Sequence, residues 1–307
     1  MSEDSKMGSI GQLTARLQAL SPTAGLREAF AALRLDEVAA STALAGSALD
    51  AAEVRALIER GRALGDHALE DYLMVHAYAD AAAWGAARAR RPEPLTLEDL
   101  RELHRRAVAG TAPAGDGGAW RTRNPPPLAD GTVATPYWLV PFQAESLVGR
   151  LTLEEALPPA RGLARAVARL HRLRPFGRAN GRVARLVASM LAARRGLPPP
   201  VLDARARAAW RSALVAAGSG AIAPLEAVIE RALRRALERL LDAAAAATDL
   251  RPLAALLAPG EAERFYKAAQ RGALTVSRRG GRLYATEEAV RAYRARAPRL
   301  RGGVEEV

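Results

Sequence analysis

The segment Arg174-Pro175-Phe176-Gly177-Arg178-Ala179-Asn180-Gly181-Arg182-Val183-Ala184-Arg185 closes one apolar helical pattern and opens another. It therefore predicts two helices meeting at a tight corner. The first-turn N–H groups of the second helix have no intrahelical acceptor, which makes such a corner a natural seat for phosphate. Gly181 lets the backbone approach a ligand, Asn180 offers an amide, and the Arg182 guanidinium can fork two phosphate oxygens. Arg185 follows three residues on, on the same helical face. The competing reading is a Gly-containing turn with solvated arginines, which these residues alone leave equally open.

Fold class follows from the rest of the chain. With 307 residues there is enough chain for a full core and more than one domain. Ala and Leu dominate while Val, Ile and aromatics are sparse, so helix is favoured over extensive sheet. No apolar run reaches the roughly 18–20 residues that span a bilayer, and the acidic start Met1–Lys6 does not resemble a secretory signal. Without cysteine, disulfides, thiolate metal sites and Cys nucleophiles are excluded. A cytoplasmic protein is the simplest expectation. The formal charge is +12, and residues 251–307 hold 12 Lys/Arg against 6 Asp/Glu. Half of the excess thus sits in a short tail, the place where nucleic acid is most plausible.

Helical patterns run over 11–40 with a break at Ser21-Pro22, and from Asp50 to about Arg60, where Asp50 and Glu53 form a capping box. Another spans about 66–90 with Leu69, Leu73, Val75, Tyr78 and Ala82 as its buried stripe, and one opens at Thr96 with Asp99 three residues on. Residues 110–142 are irregular, and the β-branched and aromatic content of 132–140 predicts a short hairpin. Thr152–Glu155 reads as another capped turn, before helices over 160–173 and 180–194. From about 204 to 247, Leu225, Val228, Ile229, Leu233, Leu237 and Leu240 keep helical spacing. The tail reads as helix over 253–257, helix over 261–270, a hairpin turning at Gly280-Gly281, and helix over 286–296. That is a winged helix-turn-helix plan.

The 174–185 segment resembles the signature of the Fic (Fido) family, His-Pro-Phe-x-Asp/Glu-Gly-Asn-Gly-Arg-x-x-Arg. Gly118-Ala119-Trp120-Arg121 resembles the family's Gly-x-x-Arg before its target-binding flap, for which Thr132, Val133 and Tyr137 are the candidates. Ala40 to Ser47 and the capped helix after Asp50 resemble the inhibitory segment, Ser/Thr-x-x-x-Glu-Gly/Asn, followed by its helix. The resemblance implies a mainly α fold: N-terminal helices with that segment over 1–60, a Fic core with a β-hairpin flap over 61–245, and a winged helix over 250–298. It implies adenylyl transfer from ATP to a protein hydroxyl, with the motif His as base, the acid as Mg²⁺ ligand and the remaining motif holding phosphates.

Three departures matter. Arg174 stands in place of the His, Arg178 in place of the acid, and Ala179 in place of a Gly. A guanidinium neither accepts a proton nor ligates Mg²⁺, and Ala179 resists the positive φ that Gly adopts freely. Ala45 replaces the inhibitory Glu that would pair with Arg185. His171 is the remaining base candidate near the motif, whereas His67, His76 and His104 read as surface or satisfied core residues. No residue spacing suggests a metal site. The expectation is a phosphate- or ATP-binding protein without Mg²⁺ or efficient transfer, acting on an unidentified protein partner and not on a membrane. One alternative is a transferase of non-standard chemistry in which Arg174 and Arg178 hold phosphate. Another is a DNA-binding regulator. The tail resembles an excisionase- or MerR-like winged helix, which would place Arg264, Lys267 and Arg271 on one helix and Arg278, Arg279 and Arg282 on the wing.

Overall fold

The computed structural model describes residues 9–20, 24–128, 131–203, 206–248, 250–279 and 281–296. The order of elements is α1 (Ile10–Gln18), α2 (Ala24–Leu44), α3 (Ala51–Arg60), α4 (Leu69–Ala89), α5 (Leu97–Ala107), α6 (Val140–Glu155), α7 (Pro159–Leu173), α8 (Asn180–Arg194), α9 (Arg207–Gly218) and α10 (Ala223–Thr248). Then come β1 (Arg251–Pro252), a 3-10 turn at Leu253–Leu256, α11 (Ala262–Gln270), β2 (Ser277–Arg279), β3 (Arg282–Ala285) and α12 (Glu287–Arg296). The chain divides into two compact units, Met1–Ala19 with Phe30–Arg239, and Leu20–Ala29 with Leu240–Val307.

Local signals start the helices where the sequence says they should. The Asp50 side chain accepts from the N–H groups of Ala52 and Glu53 while Glu53 returns to the Asp50 N–H, and Thr96 and Asp99 do the same at α5. At the centre of the larger unit is α8, packed against α7, α4 and α5. Val183, Ala184, Leu186, Val187, Ala188, Met190, Leu191 and Ala192 are all buried, so α8 is apolar nearly all round. Close helix approach depends on small residues: a Cβ on Gly162 would stand 2.2 Å from the Glu154 carbonyl oxygen at the end of α6.

Four expectations need correction in the larger unit. Residues 131–136 form no strand, and Tyr137–Leu139 is a 3-10 turn leading straight into α6. Pro136 has no N–H for a ladder, Pro141 suits a helix start, and the Thr135 N–H donates to the Arg172 carbonyl at the end of α7. Thr152–Glu155 is the last turn of α6 and starts nothing. On α4 the buried stripe is Val75, Ala77, Tyr78, Ala81 and Gly85, whereas Leu69 is 72% exposed. Finally, α2 continues to Leu44, four residues past the expected end, because Thr42 returns its hydroxyl to the Val38 carbonyl and Ser41 is buried. The α10 stripe from Leu225 to Leu240 is buried as its spacing requires.

In the smaller unit β3 pairs antiparallel with both β1 and β2, giving the order β1-β3-β2. Its core is Leu253, Phe265, Ala268, Leu274, Ala285 and Val290. The first of the two short helices expected before the hairpin is a single 3-10 turn.

Candidate functional site

The corner between α7 and α8 is built from strained backbone and heavily braced side chains. Arg174 ends α7 in the left-handed region at φ 45°, with its N–H bonded to Leu170 O at 2.9 Å. Ala179 caps α8 at φ 59°. These are the two non-Gly residues with positive φ among the described residues, a conformation costing an L-residue roughly 1–2 kcal/mol. Ala179 thus holds, at that cost, the left-handed conformation that Gly adopts freely.

Two residues carry that strain. The Asn180 side chain closes the loop on itself: Oδ1 accepts from the Phe176 N–H at 3.0 Å and Nδ2 donates to the Phe176 carbonyl at 2.8 Å. Arg121, 7% exposed, donates to the carbonyls of Arg174, Arg123, Leu173 and Thr135 and to Asn124 Oδ1, and its own N–H donates to Pro175 O. Phe176 is 1% exposed and lies flat on His104, with ring centroids 3.8 Å apart and planes within 5°. Trp120 stacks on its other neighbourhood at 5.2 Å.

His104 was underestimated from sequence. Its Nδ1 accepts from the Gly118 N–H at 2.9 Å, which fixes the proton on Nε2, and Nε2 is buried without a hydrogen-bond partner of good geometry. Burial lowers its pKa to about 4, reinforced by the positive charge of Arg182 and offset in part by the backbone of Arg178. At neutral pH it offers an N–H and no free lone pair, so it is a donor and not a base. No local periodicity could have announced this role, because the partner Phe176 is distant in sequence.

The motif arginines separate into two groups. Arg185 points into the core. It is buried, and donates through Nε and Nη2 to the Ser41 hydroxyl and carbonyl. Behind it lies Glu37, also buried, which accepts the Tyr78 hydroxyl at 2.5 Å. Burial pushes the Glu37 carboxyl up to about 7 despite Tyr78 and Arg185. Arg182 is half-buried and donates to Ala107 O at 2.7 Å. By contrast Arg178 is exposed and spends one nitrogen on Thr111 O at 2.7 Å, and half-buried Arg174 spends one on Pro126 O at 3.0 Å. Of the four residues expected to grip phosphate, Asn180 and Arg185 are thus committed to the fold, Arg182 is partly so, and Gly181 is exposed at the start of α8.

A polar cavity of about 530 Å³ opens beside the loop, lined by His104, Asp116, Trp120, Arg123, Asn124 and Arg178. That volume matches a nucleotide-sized ligand. Asp116 is its one carboxylate, and Arg178 faces the space where a metal ligand would be needed. Among the described residues no group of three or more His, Asp or Glu could hold a metal ion. The lining thus sets one carboxylate against the guanidinium groups of Arg121, Arg123 and Arg178.

The remaining candidates scatter. Val133 and Tyr137 are exposed on the 131–139 segment, and Thr132 packs near Gly218. Ala45 lies exposed in the turn after α2, while Arg185 bonds Ser41 and has Glu37 as a charge neighbour, one and two turns earlier. His67 pairs with Glu53 at 2.9 Å, which raises its pKa, and His76 is exposed. His171 is half-buried on the last turn of α7. In the smaller unit Arg264 pairs with Glu261 and lies over the rings of Phe265 and Tyr293. Lys267 pairs with Glu263, whereas Arg271, Arg278 and Arg282 are exposed. The Arg279 side chain lies outside the described residues.

Residues 94–192 match the Fic/DOC family model. The protein adenylyltransferase Fic of Culex quinquefasciatus is 26% identical over 211 residues, which cover 66% of this chain and 40% of that protein. Protein adenylyltransferase fic-1 of Caenorhabditis elegans is 27% identical over 188 residues, 60% of this chain and 36% of that one. The chain therefore spans about two fifths of the length of the curated relatives it matches. A Fic domain containing signaling protein from Bacteroides thetaiotaomicron VPI-5482 shares the fold, with a TM-score of 0.70 at 24% identity over 78% of this chain and 97% of that chain. No helix among the described residues is long and apolar enough to cross a membrane. The matching family model, the relatives and the shared fold lead to one conclusion: over residues 94–192 this chain carries a Fic/DOC family domain.

Proposed function

We propose that this Fic domain binds a nucleotide or another phosphorylated group at the α7–α8 corner without transferring it efficiently. The observation that carries this reading is the exposure of Arg178, with Arg174 half-buried beside the α8 N-terminus, at the two positions where the family resemblance expects base and metal ligand. Each guanidinium has spent one nitrogen on a carbonyl and keeps others for phosphate oxygens. Gly181 and the first-turn amides of α8 supply the backbone side of the grip. Burial lowers the pKa of Arg174, yet guanidinium stays cationic at physiological pH and cannot serve as base. His104 adds a donor and no base. Proton transfer alone contributes about 10²–10⁴ in rate, so binding outlasts turnover here. The relatives' name, protein adenylyltransferase, makes ATP the first ligand to try.

The test is label transfer from α-labelled ATP to the protein itself and to lysate proteins. The reading expects none above background, and labelling in the triple variant Arg174→His, Arg178→Asp, Ala179→Gly. Robust labelling by the natural chain would favour a transferase in which the arginines hold phosphate.

A second reading concerns the smaller unit, where Arg271, Arg278 and Arg282 stand exposed around α11 and the β2–β3 hairpin. We propose that these three contact nucleic acid phosphates in the manner of a winged helix. Salt-sensitive DNA binding that weakens at least tenfold in Arg278→Glu/Arg282→Glu supports this; unchanged binding removes it.

A further inference from the structure

A second cavity lies away from the motif loop, between α2, α4 and α8, and holds about 350 Å³. Most of its wall is apolar and small, with Ala82 and Ala86 on α4 facing Val38, Leu186 and Met190. Larger residues at either alanine would close it. The floor is different. It carries the buried Glu37 carboxyl and Ser189, whose buried hydroxyl lies near enough to steady that carboxylate but makes no hydrogen bond of good geometry. Buried polar atoms in native proteins almost always find a partner of good geometry, so a hydroxyl held only loosely by Glu37 and bordering an apolar chamber points to a ligand.

The surrounding charges select its head group. An anionic head would meet Glu37. A cationic one would meet Arg185 behind Glu37 and Arg34 at the mouth, the latter already lowered in pKa by burial and by Arg90. A neutral hydroxyl escapes both penalties. It donates to the carboxylate oxygen that Tyr78 leaves open, and accepts from Ser189. Size sets the body: a dry apolar cavity of about 150 Å³ accepts one benzene ring, so this one admits two fused rings.

We propose that the α2–α4–α8 cavity is a binding site for a neutral, two-ring-sized apolar molecule with one hydroxyl, seated on Glu37 and Ser189. Because Glu37 is also the charge neighbour of Arg185, such a ligand touches the motif helix from the side opposite the loop. The site does not depend on the anion reading and is tested apart from it.

The probe pair is 2-naphthol and naphthalene, measured by equilibrium dialysis against the full chain. The expected result is saturable one-to-one binding of 2-naphthol, at least tenfold tighter than naphthalene. That preference should shrink severalfold in Ser189→Ala, which removes one oxygen and no packing. Ala86→Phe fills the chamber and should abolish binding of both probes, with a melting temperature at least equal to the parent's. Arg174→Ser should leave 2-naphthol binding unchanged. Absence of saturable binding, equal affinity for the two probes, or a preference untouched in Ser189→Ala overturns the proposal. If Ala86→Phe fails to fold, the Ser189→Ala comparison decides alone.

Discussion

The two halves of the motif behave in opposite ways. From Arg174 to Ala179 the backbone is strained while the arginine side chains reach outward; from Asn180 to Arg185 the backbone is regular helix and the long side chains turn inward. The residues that match the family signature are thus largely occupied in holding the corner together. The residues that depart from it are the ones with nitrogens to spare. Preserved residue types brace the corner here, and the substituted arginines keep nitrogens unspent.

The largest effect should come from the inward half. Arg185→Met removes two buried hydrogen bonds to Ser41 and a positive charge that acts on Glu37, and hydrogen bonds to a charged group contribute about 1.5–3 kcal/mol each. Denaturant unfolding should show that loss at pH 8 and a smaller one near pH 6, where Glu37 takes up a proton. Arg174→Ser should cost under about 0.5 kcal/mol, as surface changes do; equal losses would erase the contrast between the halves.

Glu37 itself gives the next effect, through pH. Its carboxyl is raised to about 7 in the fold, above the ordinary carboxylate value. The native state therefore holds a proton that the unfolded chain has released, and stability falls as pH rises from the ordinary range through about 7. The drop is on the order of 3 kcal/mol, and Glu37→Gln should flatten it. A parent whose stability is level across that window contradicts the buried-acid account.

Asn180→Ala comes third, since it orphans the Phe176 N–H and carbonyl, a loss of about 1–3 kcal/mol. Ala179→Gly is smallest and opposite in sign: relieving φ 59° should stabilise by about 1 kcal/mol. If Ala179→Gly destabilises, the left-handed cap is misplaced.

Much of the helical framework was legible because its signals are local. Asp50 with Glu53 and Thr96 with Asp99 mark helix starts within four residues, and the α10 stripe declares its buried face. The site was legible in outline only. That Arg185 would seek Ser41, or His104 would lie on Phe176, depends on partners 144 and 72 residues away, which no periodicity reveals. The 132–140 hairpin failed for a related reason. Its β-branched residues suited a strand, but Pro136 and Pro141 and the pull of the Arg172 carbonyl decided the outcome.

The central claim is that the outward arginines, and not the preserved Asn180 and Arg185, contact the ligand. Calorimetry with ATP, with and without Mg²⁺, on the parent and on Arg174→Ser/Arg178→Ser tests it directly. The account predicts binding that needs no Mg²⁺ and weakens at least tenfold in the double variant, whose fold stays intact. Binding that requires Mg²⁺, or that survives the double substitution unchanged, would contradict it.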